Sequence, residues 1–233
     1  LGLKAGMFLH LNPHADLSGG YQFYEVAVTS EDDINNPPFA RLIKRVLRTH
    51  AAFLETNYSS PSNFTSLRAG LRLNYISEFE KFIIEPRLSI NQKLGEYLSL
   101  EILGEMKSQT TTQIIDFQSD FLGVEKRRWV LSDNENYPVV TSKQLSTGIQ
   151  FNKENFLITL EGYYKQVKGI TTSSQGFLNQ FQFVRSAGSY TATGLDFLIN
   201  KKFNRISSWL TYSYADNTYA FDDLVPSAFP NNF

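Results

Sequence analysis

Cysteine is absent from the 233-residue sequence, and so is any strong excess of charge of one sign. The absence of cysteine excludes a disulfide framework and thiolate metal sites. A formal net charge of −1 gives no reason to expect a nucleic-acid partner. Long apolar runs are absent as well, because none approaches the roughly 18 residues that a membrane-spanning helix needs.

Motifs of catalysis and of metal binding are equally scarce. The sequence has no G-x-S-x-G and no glycine-rich phosphate loop. His10 and His14 lie close together, but the stretch HLNPH contains a proline and predicts a turn rather than a metal site. The charge runs EDD at 31–33 and KRR at 126–128 are interpreted as solvated, with calcium binding as the alternative for EDD and contact with an anionic ligand or lipopolysaccharide as the alternative for KRR. We therefore expect no enzyme, no bound metal and no cofactor.

Short segments of alternating polarity are what the sequence does contain. In SLRAGLRLNYIS at 66–77, leucine, alanine or tyrosine recurs at every second position, with arginine, glycine or asparagine between them. A period of two is that of a β-strand with one apolar and one polar face. About ten such segments predict an all-β antiparallel meander. The predicted strands are LGLKAGMFL, YQFYEVAVT, THAAFLETNY, SLRAGLRLNY, FIIEPRLSI, YLSLEILGEMK, QLSTGIQF, FLITLEGYYKQV, TATGLDFLIN and ISSWLTYSY.

The connections between these strands differ in length at the two ends of the meander. SSPSNF, KLGEY, NKEN and NRIS are short turns at every second connection. The other connections are longer, at EDDINNPPFARLIK, from Gln109 to Ser142 and around ITTSSQGFLNQFQFVRSAG, with SEFEK as a brief exception. PFARLIKRVLR at 38–48 has helical propensity but also suits a loop entering a strand. Short turns at one end and long loops at the other are typical of transmembrane β-barrels of outer membranes.

Such a barrel accounts for the restriction of charge to one face of each strand. The apolar face would contact lipid, and the polar face would line the interior. Interior charges there would grip a plug, line a substrate path, or be solvated with structural pairing only. Pro86 in FIIEPRLSI has no N–H to donate and predicts a bulge. The predicted interior charges are Arg68, Arg72, Glu85, Arg87, Glu101, Glu105, Glu161 and Lys165.

Three consecutive stretches resemble TonB-dependent outer-membrane receptors of the Bacteroidetes type. FIIEPRLSINQKLGEYLSLEILGEMKSQT is similar to their EPR strand, short turn and next strand ending in glutamine. WVLSDNENYPVVTSKQLSTGIQFNKENFLITLEGYYKQVKGI resembles the following part, where a Tyr-Tyr-Lys strand leads to a long outer loop. SYTATGLDFLINKKFNRISSWLTYSYADNTYAFDD resembles the next hairpin, with Gly194 and Asp196 before a basic turn.

This resemblance implies a plugged barrel of about 22 strands in the cell outer membrane. It implies import of a scarce nutrient such as an iron chelate, cobalamin, a peptide or a glycan, driven by TonB and its inner-membrane motor through an N-terminal part. It also implies contact with outer-membrane lipid and, in some relatives, a surface lipoprotein partner. Because about ten strands cannot close so wide a barrel, residues 1–233 are expected to be a partial barrel domain without the plug and the C-terminal strands.

The long loop TTTQIIDFQSDFLGVEKRRWVLSDNENYPVV is the predicted recognition loop. Its candidate ligand-binding residues are Phe117, Phe121, Trp129 and Tyr137, although these rings would also suit packing of the loop on itself. A passive porin or a secretion or assembly barrel is the alternative function, since it would share the same wall. A barrel enzyme would need a Ser/His or carboxylate pair at one site, and the sequence shows no such set.

Overall fold

A computed structural model of the chain shows one antiparallel sheet of ten strands and a separate two-stranded hairpin. The structure describes residues 1–35, 38–116, 126–133, 135–175, 186–204 and 206–222. In chain order the strands are β1 (Gly2–Asn12), β2 (Ala15–Asn35), β3 (Pro38–Ser59), β4 (Thr65–Ile76), β5 (Lys81–Lys93), β6 (Leu98–Gln109), β7 (Thr111–Asp116), β8 (Lys126–Leu131), β9 (Val140–Lys153), β10 (Phe156–Thr171), β11 (Ala187–Lys202) and β12 (Ser207–Phe221). A 3₁₀ turn at Ser77–Phe79 and a one-turn helix α1 (Thr172–Gln175) complete the described elements.

The sheet is a meander in which each strand pairs with the next one along the chain. The single step in this order is from β6 to β9, because β7 and β8 pair with each other outside the sheet. All ten predicted strands are present in the predicted order, so the all-β antiparallel prediction is confirmed. Within the described residues β1 and β12 are edge strands, and the sheet does not close on itself. No helix in the described part of the chain is long and apolar enough to cross a membrane.

The two ends of the sheet differ as the sequence predicts. At the short-turn end, the connections are residues 13–14, 60–64, 94–97, 154–155 and 203–206. At the loop end lie the β6–β9 and β10–β11 connections, with the hairpin β7–β8 inside the first and α1 inside the second. The brief connection SEFEK is also at the loop end, where it forms the 3₁₀ turn and Glu80 takes a left-handed conformation with φ of 52°.

The β2–β3 connection differs from its prediction. A loop of EDDINNPPFARLIK was expected, but β2 and β3 continue as paired strands until Asn35 faces Pro38. They contain 21 and 22 residues, whereas β4 contains 12, so this hairpin extends beyond the adjacent strand at the loop end. The helical alternative for PFARLIKRVLR is wrong because the segment belongs to β3. Val26, Val28 and Leu47 belong to the apolar cluster beneath the β6–β9 connection. Apolar side chains at alternate positions favour the strand over a loop or helix.

Pro86 produces a ladder end rather than the predicted bulge. The pairing of β4 with β5 runs through Leu71 and Pro86 without a register shift. The pairing of β5 with β6 stops at Arg87, the next residue, as expected near a residue that cannot donate a hydrogen bond. Beyond this point the Glu85 carboxylate accepts the backbone N–H of Ser108 at 2.8 Å. A side chain thus connects β5 and β6 where their backbone ladder has ended.

The two faces of the sheet carry different chemistry. On the apolar face, leucines stay open to the surroundings: Leu71 is 51% exposed and Leu145 is 57% exposed. On the polar face near the loop end, by contrast, Leu47 and Ile76 are buried. The buried core of the described chain therefore lies at the loop end, on the polar side, and not between two layers of the wall.

Candidate recognition site at the loop end

The β6–β9 connection forms its own hairpin directly after the wall. β7 and β8 pair from Thr111 with Leu131 through to the far end of the two strands. The backbone N–H of Ser132 then donates to the carbonyl of Thr110 at 2.8 Å, which closes the base of the hairpin. The sequence reading placed this stretch in a loop. The signal it missed is the density of threonine and isoleucine in TTTQIID, since β-branched residues favour strands.

This hairpin folds back onto the polar face of the wall. Leu131, which is 1% exposed, and Val139 pack against Leu47 of β3 and Ile76 of β4. Both wall residues lie on the face that carries Arg72, because Leu47, Thr49 and Ala51 alternate along β3 and Ala51 is opposite Asn74. Burial of these apolar side chains is the main force that holds the loop over the wall, because apolar area leaves water.

Asp133 fixes the turn that follows β8. Its Oδ1 accepts the backbone N–H groups of Glu135, Asn136 and Tyr137 at 3.1, 2.8 and 2.9 Å. Its Oδ2 forms an ion pair with the Arg45 guanidinium of the long β2–β3 hairpin at 3.1 Å. Burial raises the pKa of this carboxyl group, but the three N–H donors and the guanidinium lower it more, so the pKa lies below its ordinary value. Asp133 therefore ties the loop to β3 in its charged form.

A groove opens between the β2–β3 hairpin and β8. Two adjoining cavities of about 610 and about 200 Å³ share Val28, Ser30, Arg128 and Trp129 in their walls. Trp129 is 53% exposed, so much of its indole is open to the groove and the solvent. An exposed indole beside guanidinium groups can stack on a planar or apolar ligand while the cations attract negative charge. The groove thus has the chemistry of a binding site.

The predicted ligand-binding aromatics divide into two groups. Trp129 and Tyr137 line the same cavity, together with Arg45 and Asp133. Phe117 and Phe121 lie outside the described residues. The structure therefore brings two of the candidate rings together at one groove. The sequence did not identify the apolar and cationic partners from the β2–β3 hairpin, because it read that region as a loop.

The eight predicted interior charges share one face of the sheet. Residues directly opposite each other in a ladder point to the same side. Arg72 is opposite Glu85, and Arg87 is opposite Glu105. The same face continues through β9. Gln144 is opposite both Glu105 of β6 and Lys165 of β10, and Gly148 is opposite both Glu101 and Glu161.

Arg72 and Glu85 form the most buried part of this face. Glu85 is only 6% exposed, and its carboxylate also accepts the hydroxyl of Ser108 at 2.5 Å. The guanidinium of Arg72 lies 4.0 Å from Glu85 and donates to Asn74 at 2.8 Å and to Gln22 at 3.0 Å. The network therefore connects β2, β4, β5 and β6. A buried carboxylate needs such partners, because an isolated buried charge is strongly unfavourable.

The other predicted charges are paired less completely. Arg68 pairs with Glu55 of β3 at 2.8 Å. Glu55 was not among the predicted interior charges, although its position next to Leu54 in the strand places it on the polar face. Glu105 pairs with Lys107 on its own strand at 2.7 Å rather than with the opposite arginine. Within the described chain, no ion pair is formed by Arg87, Glu101, Glu161 or Lys165. Gly70 leaves space between these side chains, and a groove of about 340 Å³ opens there.

Comparison with solved structures shows which proteins share this wall. The siderophore receptor PirA from Pseudomonas aeruginosa aligns over 96% of this chain and 44% of its own length, with a TM-score of 0.58 and 16% identity. PirA from Acinetobacter baumannii aligns over 95% of this chain and 36% of its own, with a TM-score of 0.54 and 15% identity. The RagAB peptide transporter aligns over 96% and 30%, with a TM-score of 0.60 and 10% identity.

Comparison by sequence adds no relative, since no family model and no curated protein matches the chain significantly. The chain spans 30% to 44% of the length of the three structures above, so it corresponds to part of each. At these identities the likeness establishes the fold. The chain therefore has the fold of an outer-membrane barrel wall of the TonB-dependent receptor type, in agreement with the resemblance seen in the sequence.

Proposed function

We propose that the protein is an energy-coupled outer-membrane importer that captures a scarce nutrient at the groove beside Trp129. The observation that carries the proposal is the position of this groove. It is formed by the longest described connection, which folds back over the polar face at the loop end. In outer-membrane barrels the long loops face the exterior, so the groove would meet a ligand before it enters the interior.

The polar face would then line the route inward. The eight predicted charges on it would face a plug or the translocated ligand, and the unpaired members Arg87, Glu101, Glu161 and Lys165 are the ones with capacity for a new partner. The paired members Arg72 and Glu85 would mainly hold the wall together, because their network already connects several strands. The domain would thus be part of a plugged barrel in the outer membrane, surrounded by lipid on the apolar face.

The substrate and partners of the proposal follow from the fold neighbours and from the resemblance in the sequence. The neighbours include siderophore receptors and a peptide transporter, which supports an iron chelate or a peptide as the nutrient, with a glycan as a third class. Energy would come from TonB and its inner-membrane motor acting on another part of the protein. A surface lipoprotein that covers the outer mouth completes the proposed set of partners.

Uptake measured in cells tests this function. A strain that lacks the gene receives the intact protein or its Trp129→Ala variant, and growth and uptake are measured on iron chelates, peptides and glycans. We expect the intact protein to restore uptake of one class, and a protonophore to abolish it. Loss of a hot-spot aromatic residue should weaken the apparent affinity by about tenfold or more.

Tyr212→Ala serves as the matched control. Tyr212 is also an exposed aromatic residue, but it lies on β12 opposite Phe197, on the apolar face and away from the groove. This variant should leave the apparent affinity unchanged. Uptake that persists with the protonophore would instead identify a passive barrel, and equal effects of the two aromatic substitutions would remove the groove from the proposal.

A further inference from the structure

We propose that the apolar face binds the phosphate of an anionic glycerophospholipid at the short-turn end, between Lys153 and Lys201. This site is independent of nutrient capture and rests only on the apolar face being in the membrane. The residues that form it are Tyr97, Phe151, Lys153, Phe156 and Lys201, and together they are named the lysine rim.

The two lysines are placed symmetrically about one aromatic ring. Phe156 of β10 is directly opposite Lys153 of β9 on one side and Lys201 of β11 on the other. Neighbouring Cα atoms of such pairs are about 4.5 to 5.5 Å apart, so both side chains reach the same patch of surface. The Lys201 Nζ lies 5.4 Å from the centre of the Phe156 ring. The two lysines therefore flank one continuous row of aromatic rings.

Aromatic rings form the floor beneath these ammonium groups. The Lys153 Nζ lies 5.0 Å from the centre of the Tyr97 ring. Tyr97 contacts Phe151 at a centroid distance of 6.3 Å, and Phe151 contacts Phe156 at 6.4 Å. A hydrogen bond from the Asn152 N–H to the Tyr97 carbonyl, at 2.7 Å, ties the β5–β6 turn to β9 and orders the floor. Cations over aromatic faces are stabilised without losing their charge.

The position of the rim along the strand matches the edge of a bilayer. The apolar row of β10 runs through the nine residues from Phe156 to Tyr164. A tilted strand crosses the hydrocarbon core in about 9 to 11 residues, so these two aromatic residues mark its borders. Short turns lie on the periplasmic side of such barrels. The rim would therefore meet the head groups of the inner leaflet, where glycerophospholipid phosphates are located.

Charge complementarity identifies the occupant. Among the described residues, no carboxylate lies within 4.0 Å of either lysine. Near the other border of the same face, Arg48 behaves differently, because it contacts both Glu25 at 3.0 Å and Glu78 at 3.7 Å. Lys143 and Lys168 of that border also form no ion pair among the described residues, but the residues opposite them in the ladder are not aromatic. The short-turn end is where two cations without a paired carboxylate flank one aromatic ring beside lipid. A phosphodiester whose acyl chains lie along the apolar face would supply that charge.

Native mass spectrometry of the intact protein in mixed micelles tests the site. Retained phosphatidylglycerol is measured for the natural protein and for K153Q, K201Q and the double variant K153Q/K201Q. A basic residue near an anionic lipid surface changes binding by about fivefold. We expect each single variant to lose about that much retention and the double variant to lose more. K153R/K201R should keep retention near the natural level, because the charge is preserved.

Two controls decide whether the effect belongs to this position. K107Q removes a lysine of the polar face that is paired with Glu105, and it should leave phosphatidylglycerol retention unchanged. Retention of zwitterionic phosphatidylethanolamine should be low and equal in all variants. Equal retention in the natural protein and K153Q/K201Q would overturn the proposal. So would an equal loss in K107Q, or displacement of the lipid by millimolar inorganic phosphate.

Discussion

The attachment of the recognition loop depends on Leu131, and its truncation gives the sharpest test of the site. The side chain is 1% exposed and belongs to the cluster that joins the loop to the wall. A buried Leu→Ala change costs about 2 to 5 kcal/mol. The cluster joins a loop to a wall that is held by its own ladders, so this cost should appear in opening of the loop rather than in unfolding of the sheet. Even the lower limit corresponds to about a thirtyfold rise in the open population.

Hydrogen exchange of the intact protein in detergent measures this opening. For Leu131→Ala we expect backbone amides of residues 126–133 to exchange at least tenfold faster, which allows for partial collapse of the cavity. Amides of β9 and β10 should keep their natural rates. Apparent ligand affinity should also fall, because Trp129 would no longer be held beside the β2–β3 hairpin.

A matched leucine on the apolar face provides the control. Leu145 is 57% exposed and makes no contact with the loop cluster. Leu145→Ala should leave exchange of residues 126–133 unchanged. If Leu131→Ala also left that exchange unchanged while the wall stayed intact, apolar burial would not be what holds the loop, and the assignment of the site would fail with it.

Three further outcomes follow from polar contacts and from one close approach. The folded pKa of Asp133 is lowered, so its ion pair with Arg45 should be complete above the unfolded pKa of about 3.9 and be lost as the pH falls further. Fluorescence of Trp129 monitors this loss. Asp133→Asn should remove the pH dependence. Arg72→Met leaves Glu85 buried without its cation and should lower the free energy of unfolding by up to about 3 to 5 kcal/mol, measured as a lower urea midpoint. Adding Glu85→Gln should restore part of this loss, and an unchanged midpoint for Arg72→Met would contradict the network. A Cβ at Gly194 would lie 2.4 Å from the Tyr163 ring, so Gly194→Ala should destabilise the natural protein. In the Tyr163→Ala variant the ring is absent, and Gly194→Ala should then be stabilising. A change in unfolding free energy of the same sign in both proteins would refute this packing.

The wall itself was readable from the sequence because each strand carries its own signal. Alternation in SLRAGLRLNY and FLITLEGYYKQV assigns both the strand and the face of every residue, since side chains of a strand alternate between two sides. Turn lengths then give the order of the strands and the end at which each loop lies. These local features do not depend on which other segments are nearby, so Arg72, Glu85 and the other charges were placed on one face correctly.

The site needed contacts between segments that are distant in the chain. Arg45 and Asp133 are 88 positions apart, and no local pattern relates them. The length of the β2–β3 hairpin was also misread, because polar residues at 31–36 resemble a loop while the partner strand and the covering loop favour continued pairing. Tyr137 and Trp129 became neighbours of one groove only after the loop folded back onto β3 and β4.

The sequence alone determined an antiparallel wall with one apolar and one charged face, and with short turns at one end and long loops at the other. Strand period and turn chemistry act over a few residues, so they can be read locally. The tertiary structure alone decided where the longest loop lies, which charges are paired and which remain open, and which lysines flank a common ring. Those outcomes depend on burial and distance between strands, and both exist only once the sheet has assembled.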